Sequence, residues 1–206
     1  MGATTVAKAI CDSYGKYFIA IKTGGNKQYL VWGEDATDNH DDKILLDKTG
    51  KVLLFDSMYN ALQYILKPSV KLFDSINMKF WAQACSERGT YLSCTYDLDI
   101  LTALVSTNQF ADLQNSERAD CLHLLSFVNV VSDYAYQTND QHLLHLRRSE
   151  PLEMFLDHTY NHYLWTVPEE GLAKQPSAMI WQPNYTQFKA AIMDLINSFI
   201  SRCAVP

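Results

Sequence analysis

Two groups of residues in this sequence have side chains and spacings that could bind a metal ion or a partner. They are histidines at helical spacing and a run of carboxylates. His142 and His145 are three residues apart, and His158 and His162 are four apart. Four-residue spacing places both imidazoles on one helix face, where they could grip a metal ion. However, no HExxH pattern and no third ligand at a diagnostic distance accompany them. We therefore predict a solvated polar face and no metal site.

The carboxylates are concentrated in the segment EDATDNHDD and the residues after it. From Glu34 to Asp47 there are six acidic residues and one lysine, which accounts for most of the chain's net charge of −6. A calcium loop needs a central glycine and a terminal glutamate at fixed offsets, and the segment has neither. Two interpretations stay open: a solvated loop, or a surface that attracts a basic partner. The candidate partner-binding residues are Trp32, Glu34, Asp35, Asp38, Asp41 and Asp42.

A third polar feature lies in the most apolar predicted helix. Ser126, Asn129, Asp133 and Tyr136 fall on one stripe of that helix. Buried polar groups need hydrogen-bond partners, so the stripe is either an internal network or a site for a ligand or partner. The chain carries no GxSxG, GxxxxGK[ST] or GxGxxG motif, and no Ser-His-Asp arrangement can be asserted from sequence. We assign no catalytic residues and no cofactor.

Composition and charge restrict the class of protein. The chain has 206 residues, of which 48% are hydrophobic and 19% charged, as in an ordinary globular protein. Its net negative charge argues against nucleic-acid binding. The absence of a long apolar window and of a secretory pattern predicts no membrane segment. The five cysteines form no CxxC pair and suit reduced thiols. We expect a cytoplasmic protein that is monomeric or in a 1:1 complex.

Residues 1–68 have the patterns of strands. In YFIAIKTGGNKQYLVWG, residues 17–33, Tyr17, Ile19 and Ile21 alternate with Phe18, Ala20 and Lys22 before a Gly-Gly-Asn turn, which predicts a hairpin. A second hairpin is predicted over 44–55 around the turn Asp47–Gly50. A helix then follows Asp56 or Ser57, either of which could cap it, and ends at Pro68. The pattern predicts an antiparallel sheet of about four strands with a packed helix.

Residues 69–206 have the patterns of helices. Apolar stripes predict helices over about 74–88, from 97, from 116, from 150 and from 184. The segment 90–96 fits either a strand or an extended connector, and 167–183 reads as a long loop. We therefore predict an α+β fold in which a sheet portion, 1–68, and a helical portion, 69–206, form one compact unit.

Two stretches carry a resemblance to a known family. They are LLDKTGKVLLFDSMYNALQYI, a hairpin leading into an amphipathic helix, and YDLDILTALV followed by CLHLLSFVNVVSDYAYQTN. In this pattern the chain resembles immunity proteins of bacterial contact-dependent inhibition and other polymorphic toxin systems. The resemblance implies a non-enzymatic cytoplasmic antitoxin that binds the C-terminal toxin domain, typically a nuclease, of a cognate effector. It transfers no site residues. The alternatives are a metal-dependent hydrolase using His158 and His162, and a non-catalytic adaptor protein.

Overall fold

The computed structural model describes residues 3–106, 118–164 and 184–206. The elements of these ranges follow in chain order. They are α1 (Ala3–Tyr14), β1 (Lys16–Thr23), β2 (Asn26–Asp35), β3 (Asp41–Ile44), β4 (Val52–Leu53), α2 (Met58–Leu66), α3 (Ser75–Arg88), β5 (Leu92–Asp97), α4 (Leu98–Ser106), α5 (Arg118–Thr138), α6 (Gln141–Arg147), α7 (Glu150–Thr159), a π-helical turn (Tyr160–Leu164), α8 (Tyr185–Ser201) and β6 (Cys203–Ala204). The loop predicted at 167–183 lies outside the described residues.

The chain forms two compact units. The first contains residues 1–99 and 201–206, and the second contains residues 100–200. The boundary expected at residue 68 therefore lies inside the first unit. The reason is that α3 packs against α1 and α2, and that β5 joins the sheet built by the N-terminal strands.

The α+β fold class predicted from the sequence is confirmed. The main sheet has four strands in the order β3-β2-β1-β5, with antiparallel pairing between β1 and β2 and between β2 and β3. The β1–β2 hairpin turns through Gly24 and Gly25, both at positive φ, as a two-residue turn of the primed type requires. The fourth strand, β5, is parallel to β1. Most of the segment 90–96 is thus a strand, which begins at Leu92.

The predicted strand at 52–55 does not join the main sheet as its fourth member. Its regular part, β4, pairs in parallel with β6 at the end of the chain. The amide N–H of Val52 donates to the Arg202 carbonyl at 2.9 Å, and that of Leu54 donates to the Ala204 carbonyl at 2.9 Å. Residues 203 and 204 are therefore one partner of this strand, which also bridges Leu46 through Val52 and Tyr29 of β2 through Phe55. Sequence periodicity alone could not reveal the pairing with β6.

The helices of the first unit cover its sheet with an apolar core. α2 begins where predicted, since the Ser57 hydroxyl accepts a hydrogen bond from the Asn60 amide at 3.1 Å. Trp81 of α3 is fully buried and packs on Phe18 of β1 with ring centroids 4.9 Å apart. Burial of side chains this large is the main source of stability for such a unit.

The described part of the second unit is helical. Aromatic pairs lie in its core: the rings of Phe127 and Phe199 are 5.8 Å apart, and those of Phe155 and Phe188 are 5.4 Å apart. Both pairs join α8 to an earlier helix of the unit. None of the helices that the structure describes is both long and apolar enough to cross a membrane.

Candidate functional site

The strongest candidate site is the end of the β2–β3 hairpin, residues Glu34–Asp42, which we call the acidic hairpin end. The antiparallel register places Glu34 directly opposite Asp42, and Asp35 directly opposite Asp41. Like charges at directly opposite positions of a ladder destabilise it. Four carboxylates are thus brought to the same end of one hairpin, against the preference of the sheet itself.

The acidic residues and Trp32 lie on two opposite faces of the sheet. Side chains two positions apart on a strand share a face, so Trp32, Glu34 and the opposing Asp42 lie on the same side of the sheet. Trp32 is partly buried and packs against Tyr17 of β1, with ring centroids 5.9 Å apart. This face therefore combines a supported aromatic pair with two carboxylates. Tyr17 was not among the predicted site residues, although the alternation of β1 in the sequence could have placed it on the same face as Trp32.

Asp35 has a structural role. Its side chain is 5% exposed, its Oδ1 accepts from the amide and hydroxyl of Thr37 at 3.0 and 2.6 Å, and its Oδ2 accepts from Lys43 Nζ at 2.9 Å. Burial acts to raise the pKa of Asp35, but the hydrogen bonds from Thr37 and Lys43 hold it below its usual value. This carboxylate builds the turn and is not part of the exposed acidic surface.

The other predicted acidic residues remain accessible. Asp38, Asp41 and Asp42 are exposed, and the Glu34 side chain is 46% exposed. Asp38 pairs with Lys43, and Glu34 pairs with the His40 ring. Lys43 also forms an ion pair with the buried Asp35, so one ammonium group is shared by two carboxylates. The surface that results is negative, because Asp41 and Asp42 add two further charges.

Both solvent exclusion and neighbouring charges act on the ionisation of Asp42. Burial first, and then the negative charges of Glu34 and Asp41, raise the pKa of the Asp42 carboxyl above its usual value. A folded-state pKa above the unfolded one means that the ionised carboxylate costs folding free energy. An incoming positive charge would lower that cost.

The backbone behind the acidic hairpin end is tightly packed. An added Cβ at Gly33 would lie 2.2 Å from the Gly15 carbonyl oxygen and 2.9 Å from the Lys16 Cα. The Lys16 ammonium donates to the carbonyl oxygen of Glu34. The position of Glu34 is thus set by its main chain, which is anchored to the start of β1.

Two members of the polar stripe of α5 have separate hydrogen-bond partners. Ser126 donates to the carbonyl of Leu122 at 2.8 Å, and Asn129 donates to the Tyr160 hydroxyl at 2.9 Å. Asp133 is partly buried, whereas Tyr136 is 59% exposed. Asn129 therefore links α5 to the π-helical turn, and the ends of the stripe have different surroundings.

The histidines do not assemble a recognisable active site in the described residues. His142 Nε2 lies 3.1 Å from Ser198 Oγ and 3.4 Å from Asp194 Oδ1, and Ser198 donates to the same Asp194 oxygen at 3.0 Å. A catalytic triad needs the carboxylate and the hydroxyl at opposite ring nitrogens. Here the Asp194 carboxylate and the Ser198 hydroxyl both contact Nε2 of His142. The three side chains therefore form a half-exposed hydrogen-bond cluster and not a triad.

The predicted spacing of His158 and His162 changes in the structure. The backbone becomes π-helical at Tyr160, so the α-helical spacing of that pair does not continue through residue 162. The His162 side chain lies outside the described residues. Within the ranges that the structure describes, no three His, Cys, Asp or Glu side chains are grouped to hold a metal ion.

Comparison with known proteins identifies a shared fold. No protein-family model matches the chain, and no curated protein matches it in sequence. The solved structure of the SatS C-terminal domain in complex with bromine is similar, with a TM-score of 0.58 and 14% identity over 95% of this chain and 96% of that chain. At that identity the likeness shows the fold alone.

Proposed function

We propose that this protein is a non-enzymatic binding protein that meets a basic protein partner through the acidic hairpin end. The partner we propose is the C-terminal toxin domain, a nuclease, of a cognate bacterial effector, bound 1:1 in the cytoplasm. The chain would then act as an immunity protein. The resemblance of its hairpin–helix stretches to immunity proteins supports this identity of the partner.

The observation that carries the proposal is the pairing of like charges across β2 and β3. Glu34 opposes Asp42, and Asp35 opposes Asp41, although a lysine at either position would have formed a favourable pair. Positions that break a local rule of stability are expected at functional sites. A basic partner would attract the exposed carboxylates Glu34, Asp41 and Asp42, so these three would gain in the complex what their mutual repulsion costs in the isolated protein.

A nuclease is a suitable partner because its cleft must bind phosphates with lysine and arginine side chains. Carboxylates on a rigid hairpin present negative charge in the way a phosphate backbone does. The partly exposed Trp32 lies beside them on the same face, supported by Tyr17. Aromatic side chains of this kind commonly provide most of the affinity at an interface, whereas surrounding charges set the rate of encounter.

Co-expression with the toxin domain tests the proposal. The candidate to test is the C-terminal domain of any large effector that the reading frame directly upstream encodes. We expect the protein to restore growth and to elute with the toxin domain as a 1:1 complex. Trp32→Ala should weaken binding on the order of thirtyfold or more, as at an interface hot spot.

The matched control is Tyr59→Ala, which removes an aromatic side chain that is 64% exposed on α2. It should leave binding unchanged. Failure of the wild-type protein to bind the toxin domain, or equal weakening by both substitutions, would contradict the proposal. Circular dichroism of both variants separates a binding defect from a folding defect.

A further inference from the structure

Three local departures from ordinary protein structure meet at Asp74, the residue that precedes α3. The first is buried charge. The Asp74 side chain is 2% exposed and lies 2.8 Å from the Lys16 ammonium, which is 1% exposed. Burying two charges costs solvation free energy, and apolar residues of similar size in place of such a pair are often neutral or stabilising. Stability alone is therefore a poor explanation for this pair.

The second departure is the backbone conformation of Asp74. Its φ is 43° and its ψ is 51°, which lies in the left-handed region. Residues other than glycine rarely adopt this conformation, although aspartate does so more often than most. A residue at the N-cap of a helix normally has an extended conformation instead. Strained conformations persist only where the surroundings impose them, and they cluster at functional sites.

The third departure is the direction of the Asp74 carboxylate. An aspartate at the N-cap usually accepts a hydrogen bond from a backbone amide two or three residues later. In the described part of the chain the Asp74 carboxylate makes no such capping bond. It accepts instead from Lys16 Nζ at 2.8 Å and from Nδ2 of Asn77 at 2.9 and 3.1 Å. The carboxylate is thus directed at Lys16 and not at the amides of its own helix.

The Lys16 ammonium holds the root of the acidic hairpin end. Lys16 is the first residue of β1 and lies opposite Gly33 of β2. Its ammonium donates to the carbonyl oxygen of Glu34, and the Glu34 amide donates to the Gly15 carbonyl oxygen at 3.0 Å. Both main-chain polar groups of Glu34 are therefore bonded to residues 15 and 16. Asp74 neutralises the ammonium that makes one of these two bonds.

The acidic hairpin end needs such an anchor because its own charges act against it. Glu34 lies opposite Asp42, and Asp35 lies opposite Asp41, so repulsion tends to separate the ends of β2 and β3. A binding surface that is disordered before association must be ordered on binding, which reduces affinity. A main chain fixed in advance at Glu34 removes part of that cost.

We propose that Lys16 and Asp74 are positioning residues for partner binding, which hold the Glu34 main chain so that the acidic hairpin end is ordered before a basic partner associates. The inference rests on the proposed function, because it takes the acidic hairpin end as the binding surface. The pair is buried and adds no net charge, so it acts through Glu34 and not by contact with the partner. The three departures at Asp74 are the local costs of this arrangement.

Amide hydrogen exchange tests the positioning without any partner. Lys16→Met/Asp74→Leu removes the pair and leaves the net charge unchanged. The matched control, Lys22→Met/Asp97→Leu, removes by the same substitutions the 2.7 Å pair that joins β1 to β5, on the side of β1 away from β2. We expect the Glu34 amide to exchange on the order of tenfold faster in the test variant, through local opening, and at the wild-type rate in the control.

The α2 amides provide the internal reference for this measurement. A general loss of stability would speed exchange throughout the first unit, whereas loss of positioning speeds it at the acidic hairpin end and leaves α2 unchanged. An unchanged rate at Glu34, or an equal increase at Glu34 and in α2, would overturn the inference. If the double variant does not fold, Asp74→Asn, which keeps the side-chain shape, is compared with Asp97→Asn in the same way.

Binding kinetics connect the positioning to function, with the toxin domain as the probe. The test variant keeps every exposed carboxylate, so it should associate at the rate of the control at low salt. It should dissociate on the order of tenfold faster, because the hairpin end is no longer ordered in advance. Equal dissociation rates of the two variants would overturn the inference. A wild-type protein that does not bind the toxin domain would contradict the proposed function instead, and the exchange rates would still decide the role of the pair.

Discussion

The Lys16 ammonium and the Asp74 carboxylate form a buried ion pair at 2.8 Å, with side chains that are 1% and 2% exposed. Lys16 also donates to the carbonyl oxygens of Tyr14, at 3.1 Å, and Glu34. Asp74 accepts in addition from the Asn77 side chain at 2.9 Å. One ion pair therefore connects the start of β1, the start of α3 and the main chain of the acidic hairpin end.

Breaking this ion pair should be costly. Asp74→Leu leaves the Lys16 ammonium buried without its counter-charge, so we expect a loss of about 3–5 kcal/mol in the free energy of unfolding. The double variant Lys16→Met/Asp74→Leu removes both charges and should be less destabilised than Asp74→Leu alone. Urea denaturation measures both values. A single variant within about 1 kcal/mol of wild type would contradict the structural role of the pair.

Acid should destabilise the fold through the same carboxylates. Burial acts to raise the pKa of Asp74, but hydrogen bonds from Lys16 and Asn77 hold it below its usual value, as Thr37 and Lys43 do for Asp35. The unfolded chain then takes up protons first, so this stabilisation is present above the unfolded pKa of about 3.9 and is lost as pH falls through the lower folded values.

The pH prediction is checked by urea denaturation from pH 7 to pH 3. Wild-type stability should fall most steeply below about pH 4, where free aspartate takes up protons. In Asp74→Asn the slope in that range should be shallower. An equal slope in the two proteins would mean that Asp74 does not contribute to the linkage.

The close approach behind the acidic hairpin end predicts that replacing Gly33 destabilises the fold. Gly33→Ala would place a Cβ 2.2 Å from the Gly15 carbonyl oxygen, so the strand must shift. We expect a loss of about 1–3 kcal/mol, as for other overpacking substitutions. Gly24→Ala is the control, because in the described part of the chain an added Cβ there meets nothing within 4 Å and only its positive φ is strained. A smaller loss for Gly33→Ala than for Gly24→Ala would refute the clash.

Asp42 and Asp38 should affect stability differently. Partial desolvation and the like charges of Glu34 and Asp41 raise the pKa of Asp42, so Asp42→Asn should increase stability at neutral pH, by at most a few tenths of a kcal/mol because the side chain stays largely in contact with solvent. Asp38→Asn removes a contact with Lys43 and should not stabilise. Thermal denaturation at low and high salt distinguishes them: the effect of Asp42→Asn should shrink in salt.

Local pattern predicted much of this protein correctly, and long-range pairing accounts for what it missed. The Gly24-Gly25 hairpin, the Ser57 cap and the helix after it depend on neighbouring residues and could be read from the sequence. The parallel pairing of β5 with β1 and of β4 with β6 joins segments far apart in the chain. No periodicity within a strand encodes its distant partner.

The acidic residues show the same limit. Counting charges grouped Asp35 with Asp42, but the structure buries Asp35 beneath Lys43 and leaves Asp42 exposed opposite Glu34. The register of β2 and β3 decides which carboxylates share a face. That register is set by the whole hairpin, so a count along the sequence cannot separate structural from exposed charges.

The central claim is that the acidic hairpin end speeds the encounter with a basic partner, and association kinetics test it most directly. The test variant neutralises the four accessible carboxylates: Glu34→Gln, Asp38→Asn, Asp41→Asn and Asp42→Asn. The control variant neutralises four exposed carboxylates elsewhere on the described surface: Asp56→Asn, Glu87→Gln, Glu153→Gln and Asp157→Asn. Both variants carry the same net charge.

Stopped-flow association with the toxin domain is measured at low and at high salt. We predict that the test variant associates about tenfold more slowly than the control at low salt and that the difference nearly disappears at high salt, because steering by charge is screened. Equal association rates for the two variants at low salt would contradict the claim and exclude the acidic hairpin end from recognition.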